Sequence, residues 1–129
     1  DEDPEGTLIR FLSLQCRGSG RMKEDIRFLQ EILYLQGLPA PQALRGGLRL
    51  LSELDVRADF AALAQPLLAL LGANDVLVPA SLAQALAALN ATLAEQSIQV
   101  LAQSGHAPFL AEPTAFLRLA LPFLVANVG

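Results

Sequence analysis

The sequence predicts an α/β protein in which a helical subdomain precedes the last two β-α units of a parallel sheet. Two observations lead to this fold class. Residues 1–59 carry most of the charges and repeat apolar side chains with helical spacing, whereas residues 60–129 alternate apolar runs of strand length with helical segments. We therefore expect a helical lid at residues 1–59 and the C-terminal part of an α/β core at residues 60–129.

The lid is predicted to contain three helices joined by short, glycine-containing links. The third begins near Pro41, a residue favoured in the first helical turn, and runs to Leu54, although Gly46-Gly47 weakens it. The residues that define the first two helices by their spacing are Leu8, Phe11, Leu12 and Gln15, then Met22, Ile26, Leu29 and Leu33.

The core part carries few charges and contains two predicted parallel strands. Two such strands are not stable alone, and a parallel sheet needs both faces covered. We therefore expect this part to pack against the N-terminal half of the core, which these 129 residues lack, and its strand edges offer a route to self-association. The predicted segments are strand Leu67–Leu71, helix Ser81–Leu89, strand Ile98–Leu101 and helix Thr114–Val125; the charged residues after Asp59 are Asp75, Glu95, Glu112 and Arg118.

Each predicted strand is followed by a residue suited to catalysis. Asp75 lies in the turn after the first strand, and His106, the only histidine, follows the second. Alone, each has an ordinary structural explanation, but this chain order is that of the last two members of an α/β-hydrolase triad. An imidazole can take and return a proton near neutral pH, and a carboxylate can orient it. We therefore predict Asp75 and His106 as catalytic residues.

The third member of such a triad, a serine within Gly-x-Ser-x-Gly, does not occur in the sequence. Arg17 and Arg21 occupy the glycine positions around Ser19, and no strand precedes that serine. We therefore expect the chain alone to be inactive. The remaining serines, none in such a motif, are Ser13, Ser52, Ser81, Ser97 and Ser104.

Charge and composition exclude several other classes of protein. A net charge of −4 argues against nucleic-acid or anionic-membrane binding, and no apolar stretch is long enough to span a bilayer. A single cysteine, Cys16, allows no internal disulfide and fits the cytoplasm. One histidine and one cysteine far apart supply no metal site, and we predict neither metal nor cofactor.

A basic set in the lid has two interpretations. Lys23 and Arg27 are four residues apart on one predicted helix, and Arg10 lies on the preceding helix. The set is either a solvated helix face or a docking surface for an acidic partner.

Several segments resemble the pimeloyl-acyl-carrier protein methyl ester esterases of biotin synthesis. The resemblance implies a serine carboxylesterase in which Phe11, Leu12, Ser13, Leu14 and Gln15 line an acyl channel. It also implies that Arg10, Lys23 and Arg27 contact the acidic acyl-carrier protein, although Lys23 lacks the bidentate geometry of the arginine expected there. The matching segments are residues 10–15, 45–48, 54–57, 71–79 and 105–110.

Two alternatives stay open from the sequence. One is another lidded α/β-hydrolase, such as an enol-lactonase or a general carboxylesterase. The other is a non-catalytic helical interaction module, in which replacing Asp75 or His106 would not affect binding.

Overall fold

The region predicted as the lid forms three helices, as its periodicity predicts. The computed structural model describes residues 3–93 and 97–127. Helix α1 (Pro4–Cys16) begins where the Asp3 carboxylate accepts a hydrogen bond from the Gly6 N–H at 2.8 Å. Helix α2 is Met22–Gln36, and α3 is Pro41–Glu53, which Gly46-Gly47 do not interrupt.

The second region alternates helices and strands, with small differences from the prediction. The elements in order are α4 (Arg57–Ala62), β1 (Ala69–Gly72), α5 (Leu82–Leu89), β2 (Ile98–Leu101), α6 (Pro108–Ala111) and α7 (Pro113–Asn127). The predicted strand Leu67–Leu71 pairs only from Ala69 and extends to Gly72, whereas Ile98–Leu101 forms a strand over its predicted length. The short helices α4 and α6 were not predicted, because four to six residues give too little periodicity to detect.

Strands β1 and β2 pair in parallel, with Ala69 opposite Ile98 and Gly72 opposite Leu101. The crossover between them contains α5. Because the strands run in the same direction, their carboxyl ends lie side by side. The segments that follow them, the Asp75 loop (residues 73–79) and the His106 loop (residues 102–107), therefore meet at one edge of the sheet.

Burial is concentrated around these loops rather than between the helices. Among the described residues the buried apolar side chains are few, and Leu101 at the end of β2 is 4% exposed. By contrast, α3 buries none of its residues, and Leu51 on that helix is 81% exposed. The described residues include no helix with the length and apolarity to cross a bilayer.

A buried amide fixes the segment that precedes β1. The Asn90 side chain is fully buried, and its NH₂ group donates to the carbonyls of Phe60 and Leu63 at 2.6 and 3.0 Å. Its oxygen accepts from the Thr92 N–H at 2.8 Å. All of its polar atoms are thus satisfied, so this amide ties the end of α5 to the end of α4.

Candidate active site

The Asp75 loop is built by hydrogen bonds that begin at the residue directly after β1. The Ala73 N–H continues the sheet pairing by donating to the Leu101 carbonyl at 2.9 Å. Oxygen Oδ1 of Asp75 then accepts from the N–H groups of Leu77 and Val78, at 2.8 and 3.0 Å. The turn is thus stabilised by hydrogen bonds from its backbone to the Asp75 side chain. The second oxygen, Oδ2, remains available to another partner.

The partner of that oxygen is the predicted histidine. The Nδ1 atom of His106 lies 2.9 Å from Asp75 Oδ2. The carboxylate side chain is 7% exposed, whereas the imidazole is 36% exposed. The structure therefore brings the two predicted catalytic residues into direct contact, with the acid buried behind the base.

The protonation of the pair follows from its surroundings. Burial alone would raise the pKa of Asp75, but hydrogen bonds from Val78, His106 and Leu77 outweigh it and lower the pKa below its ordinary value. An ionised carboxylate only accepts hydrogen bonds, so Nδ1 of His106 carries the proton in the contact. The other ring nitrogen, Nε2, is then able to accept a proton in the neutral imidazole.

The C-terminal end of α1 and the link between α1 and α2 pack onto the Asp75 and His106 loops. The Gly20 N–H donates to the Gln103 carbonyl at 2.9 Å, and the His106 N–H donates to the Gln15 carbonyl at 3.3 Å. Gly18 has a positive φ of 85°, and a Cβ there would lie 2.3 Å from the Asn74 carbonyl oxygen. Only glycine fits this approach, so the sequence Gly18-Ser19-Gly20 is part of the site's framework.

The hydroxyls of four described serines have hydrogen-bond partners other than His106. The Ser19 hydroxyl donates to the buried Asp25 carboxylate, and the Ser104 hydroxyl donates to Glu112. Those of Ser13 and Ser52 bond to carbonyls of their own helices, and no described serine hydrogen-bonds to His106. Burial and the nearby Asp25 raise the pKa of the Cys16 thiol, which keeps it protonated and unreactive.

The predicted acyl-channel residues are distributed over different environments. Phe11 lines an apolar groove of about 900 Å³ between α1 and α3, together with Leu8, Leu44 and Leu48. Leu12, Ser13 and Gln15 are half-buried, and Leu14 is exposed; none of these four lines that groove. The carbonyl of Gln15 contacts the site directly through its bond from His106.

The predicted carrier-binding cations are all exposed. Arg10 donates to the Thr7 hydroxyl at 2.9 Å and lies 3.6 Å from the Asp3 carboxylate. Lys23 and Arg27 lie on the outer surface of α2 and form no ion pair with any described residue. Within residues 3–93 and 97–127, no group of three or more His, Cys, Asp or Glu side chains could hold a metal ion.

Ser104 and Glu112, which the sequence did not mark as site residues, also lie at the site. The Ser104 hydroxyl and the Gln103 N–H both donate to Glu112 Oε2, at 2.6 and 2.9 Å. Glu112 was notable in the sequence only as one of the few charges in the second region. Its position six residues after His106 gave no signal, because the contact depends on the fold of α6 between them.

Curated relatives over nearly the whole chain carry one name, pimeloyl-acyl-carrier protein methyl ester esterase. The protein of Photobacterium profundum is 39% identical over 124 residues, which are 95% of this chain and 47% of the relative. That of Pectobacterium carotovorum subsp. carotovorum is 39% identical over 125 residues, 97% of this chain and 48% of the relative. That of Xanthomonas oryzae pv. oryzae is 44% identical over 108 residues, which are 84% of this chain and 42% of the relative. No family model matches the chain.

The parallel strands and the Asp75–His106 contact define a C-terminal portion of an α/β-hydrolase fold. Over 95% of its length the chain is similar, at 39% identity, to a protein named pimeloyl-acyl-carrier protein methyl ester esterase. The chain spans about half the length of the curated relatives it matches.

Proposed function

We propose that the chain is part of a serine carboxylesterase of biotin synthesis that hydrolyses the methyl ester of pimeloyl-acyl-carrier protein. In this proposal the chain supplies the lid, the acid Asp75 and the base His106. The observation that carries the proposal is the 2.9 Å contact between these two side chains at the carboxyl ends of adjacent parallel strands. The names of the relatives supply the substrate.

The chemistry follows from the proton positions in the pair. A serine hydroxyl attacks the ester carbonyl while His106 Nε2 takes its proton, and Asp75 stabilises the imidazolium that forms. The imidazolium then gives the proton to the departing methoxide as the bond between the carbonyl carbon and the methoxy oxygen breaks. Methanol departs, and the acyl group remains bound to the serine as an acyl-enzyme. Water attacks that ester with His106 again as base, and the proton returns to serine as the carboxylic acid departs.

The serine comes, in this proposal, from a segment outside the 129 residues. The four described serine hydroxyls with protein partners are engaged elsewhere, and the exposed apolar side chains of α3 and α7 offer area for a missing half of the core. Exposed apolar patches of this kind mark surfaces that another protein segment covers.

The lid is proposed to receive the carrier and its acyl group. Arg10, Lys23 and Arg27 present exposed positive charge on α1 and α2, which suits an acidic partner. The stretch Phe11–Gln15 runs from the apolar groove to the His106 backbone, so it leads toward the reacting atoms. We also propose a cytoplasmic location, because Cys16 is a free cysteine and free thiols are typical of cytosolic proteins.

The proposal is tested with the complete esterase, meaning this chain together with the nucleophile-bearing segment. His106→Ala and Asp75→Asn should each lower kcat on the carrier-linked methyl ester, for Asp75→Asn on the order of 10⁴-fold. Asp59→Asn, an exposed aspartate on α4, is the matched control and should keep full turnover.

Two results would overturn the proposal. One is turnover by either site variant at the control's rate, which favours a non-catalytic interaction module. The other is hydrolysis of p-nitrophenyl esters by the 129-residue chain alone, with labelling by a fluorophosphonate, since the proposal gives this chain no nucleophile.

A further inference from the structure

Ser104 is a buried point of contact between the Asp75 loop and the His106 loop. Its side chain is 0% exposed, and its carbonyl accepts the Asn74 N–H at 3.0 Å. Asn74 directly precedes Asp75, and Ser104 lies two residues before His106. The placement of Ser104 therefore sets how closely the acid and the base approach each other.

Glu112 holds this junction from outside both loops. One oxygen, Oε2, accepts the Ser104 hydroxyl at 2.6 Å and the Gln103 N–H at 2.9 Å. The backbone of Glu112 is itself fixed, because its N–H donates to the Pro108 carbonyl at 3.0 Å and its carbonyl accepts from the Phe116 N–H at 2.8 Å. A carboxylate anchored between α6 and α7 thus fixes the start of the His106 loop.

We infer that Glu112 is a positioning residue, which acts through Ser104 to hold His106 against Asp75. This inference rests on the proposed function. Hydrogen bonds to an ionised acceptor are stronger than neutral ones, so a carboxylate suits a loop that carries a catalytic base. Without the carboxylate, the buried Ser104 hydroxyl loses its acceptor and the loop is free to shift.

Glutamine at this position is the informative comparison. Glu112→Gln keeps the length of the side chain and one acceptor oxygen, so it can still receive the two donors. Glu112→Ala removes both bonds. Glu31→Ala, at an exposed glutamate on α2, controls for the loss of one surface carboxylate.

The experiment measures kcat and KM of the complete esterase per active site, counted by titration with a fluorophosphonate. Glu112→Ala should lower kcat by about 10-fold to 100-fold with KM unchanged, since a displacement near 1 Å costs about that much. Glu112→Gln should recover most of the loss, and Glu31→Ala should match the wild type. A merely structural role would reduce the number of titratable sites and leave kcat per site unchanged, which would overturn the inference.

A second measurement separates this inference from the proposed function. The His106 Nδ1 proton, bonded to Asp75, should give a low-field proton resonance in the wild type. Glu112→Ala should lose it through faster exchange, and Glu112→Gln should keep it. If the resonances behave so but the carrier-linked ester is not hydrolysed, the proposed function fails and the positioning role stands. A resonance unchanged in Glu112→Ala overturns the positioning role.

Discussion

The predicted lid (residues 1–59) and the sheet region (residues 60–129) differ in how far their side chains are buried and hydrogen-bonded within the chain. No residue of α3 is buried, whereas Ser104 and Gly105 in the His106 loop are buried. Polar bonds within the chain complete the geometry of the catalytic pair, but the apolar face of α3 has no comparable cover among the described residues. The Asp75–His106 contact is thus formed within this sequence, whereas the apolar side chains of α3 stay exposed among the described residues.

One part of the lid belongs structurally to the site. Gln15 at the end of α1 contacts His106, and the link after α1 contacts Asn74 and Gln103, so this helix end is tied to both loops. The link between α1 and α2, which belongs to the predicted lid (residues 1–59), therefore packs directly against the Asp75 and His106 loops.

The largest expected effect on stability comes from adding one methyl group at the site. In Gly105→Ala the new Cβ would lie 2.3 Å from the Arg17 carbonyl oxygen, so backbone must move. We expect a loss of about 1–3 kcal/mol in the free energy of unfolding and a fall in kcat. Urea unfolding and steady-state kinetics of the complete esterase measure the two effects.

The matched control for that change lies in α3. A Cβ at Gly46 meets nothing within 4 Å, so Gly46→Ala should stabilise the protein by about 0.5–1 kcal/mol through helix propensity. Equal destabilisation by the two changes would contradict the contrast between the regions.

A smaller effect should appear in the pH dependence of stability. Because the pKa of Asp75 is lowered in the folded state, its carboxylate stabilises the fold at pH values above about 3.9. This contribution is lost as the pH falls through the lowered pKa. The difference in the free energy of unfolding between wild type and Asp75→Asn, measured with urea, should therefore be largest at neutral pH and smallest in acid. A difference that does not change with pH would contradict this prediction.

The smallest effect per residue concerns the lid surface. Replacing Arg10, Lys23 and Arg27 together by alanine should lower kcat/KM on the carrier-linked ester by about 10-fold, from roughly 0.5 kcal/mol per exposed charge. The same variant should hydrolyse a short free methyl ester normally. Arg118→Ala, at an exposed arginine on α7, is the control. Equal losses on both esters would favour a general carboxylesterase or an enol-lactonase.

Much of the fold was predictable because its elements have long or regular patterns. The three lid helices and strand Ile98–Leu101 were predicted from spacing alone. The predicted start of β1 was wrong because Leu67 and Leu68 are as apolar as the residues that pair, and only the partner strand decides where pairing begins.

The proximity of Asp75 and His106 was predictable, and the residues that support their loops were not. Asp75 and His106 have a recognisable chain order after two strands. The roles of Ser104 and Glu112 depend on which side chains two loops and a short helix bring together, and no periodicity encodes that. Ser104 was considered only as a candidate nucleophile, and the structure assigns its hydroxyl to Glu112 instead.

The bond from the His106 N–H to the Gln15 carbonyl joins two main-chain groups. Alanine scanning along α1 would leave that bond in place at every position, so such a scan reports only on side chains. Replacing the amide at residue 106 by an ester through chemical ligation would remove the donor and leave the imidazole intact. Backbone chemistry, rather than conventional mutagenesis, is therefore the way to measure what this helix end contributes to the base.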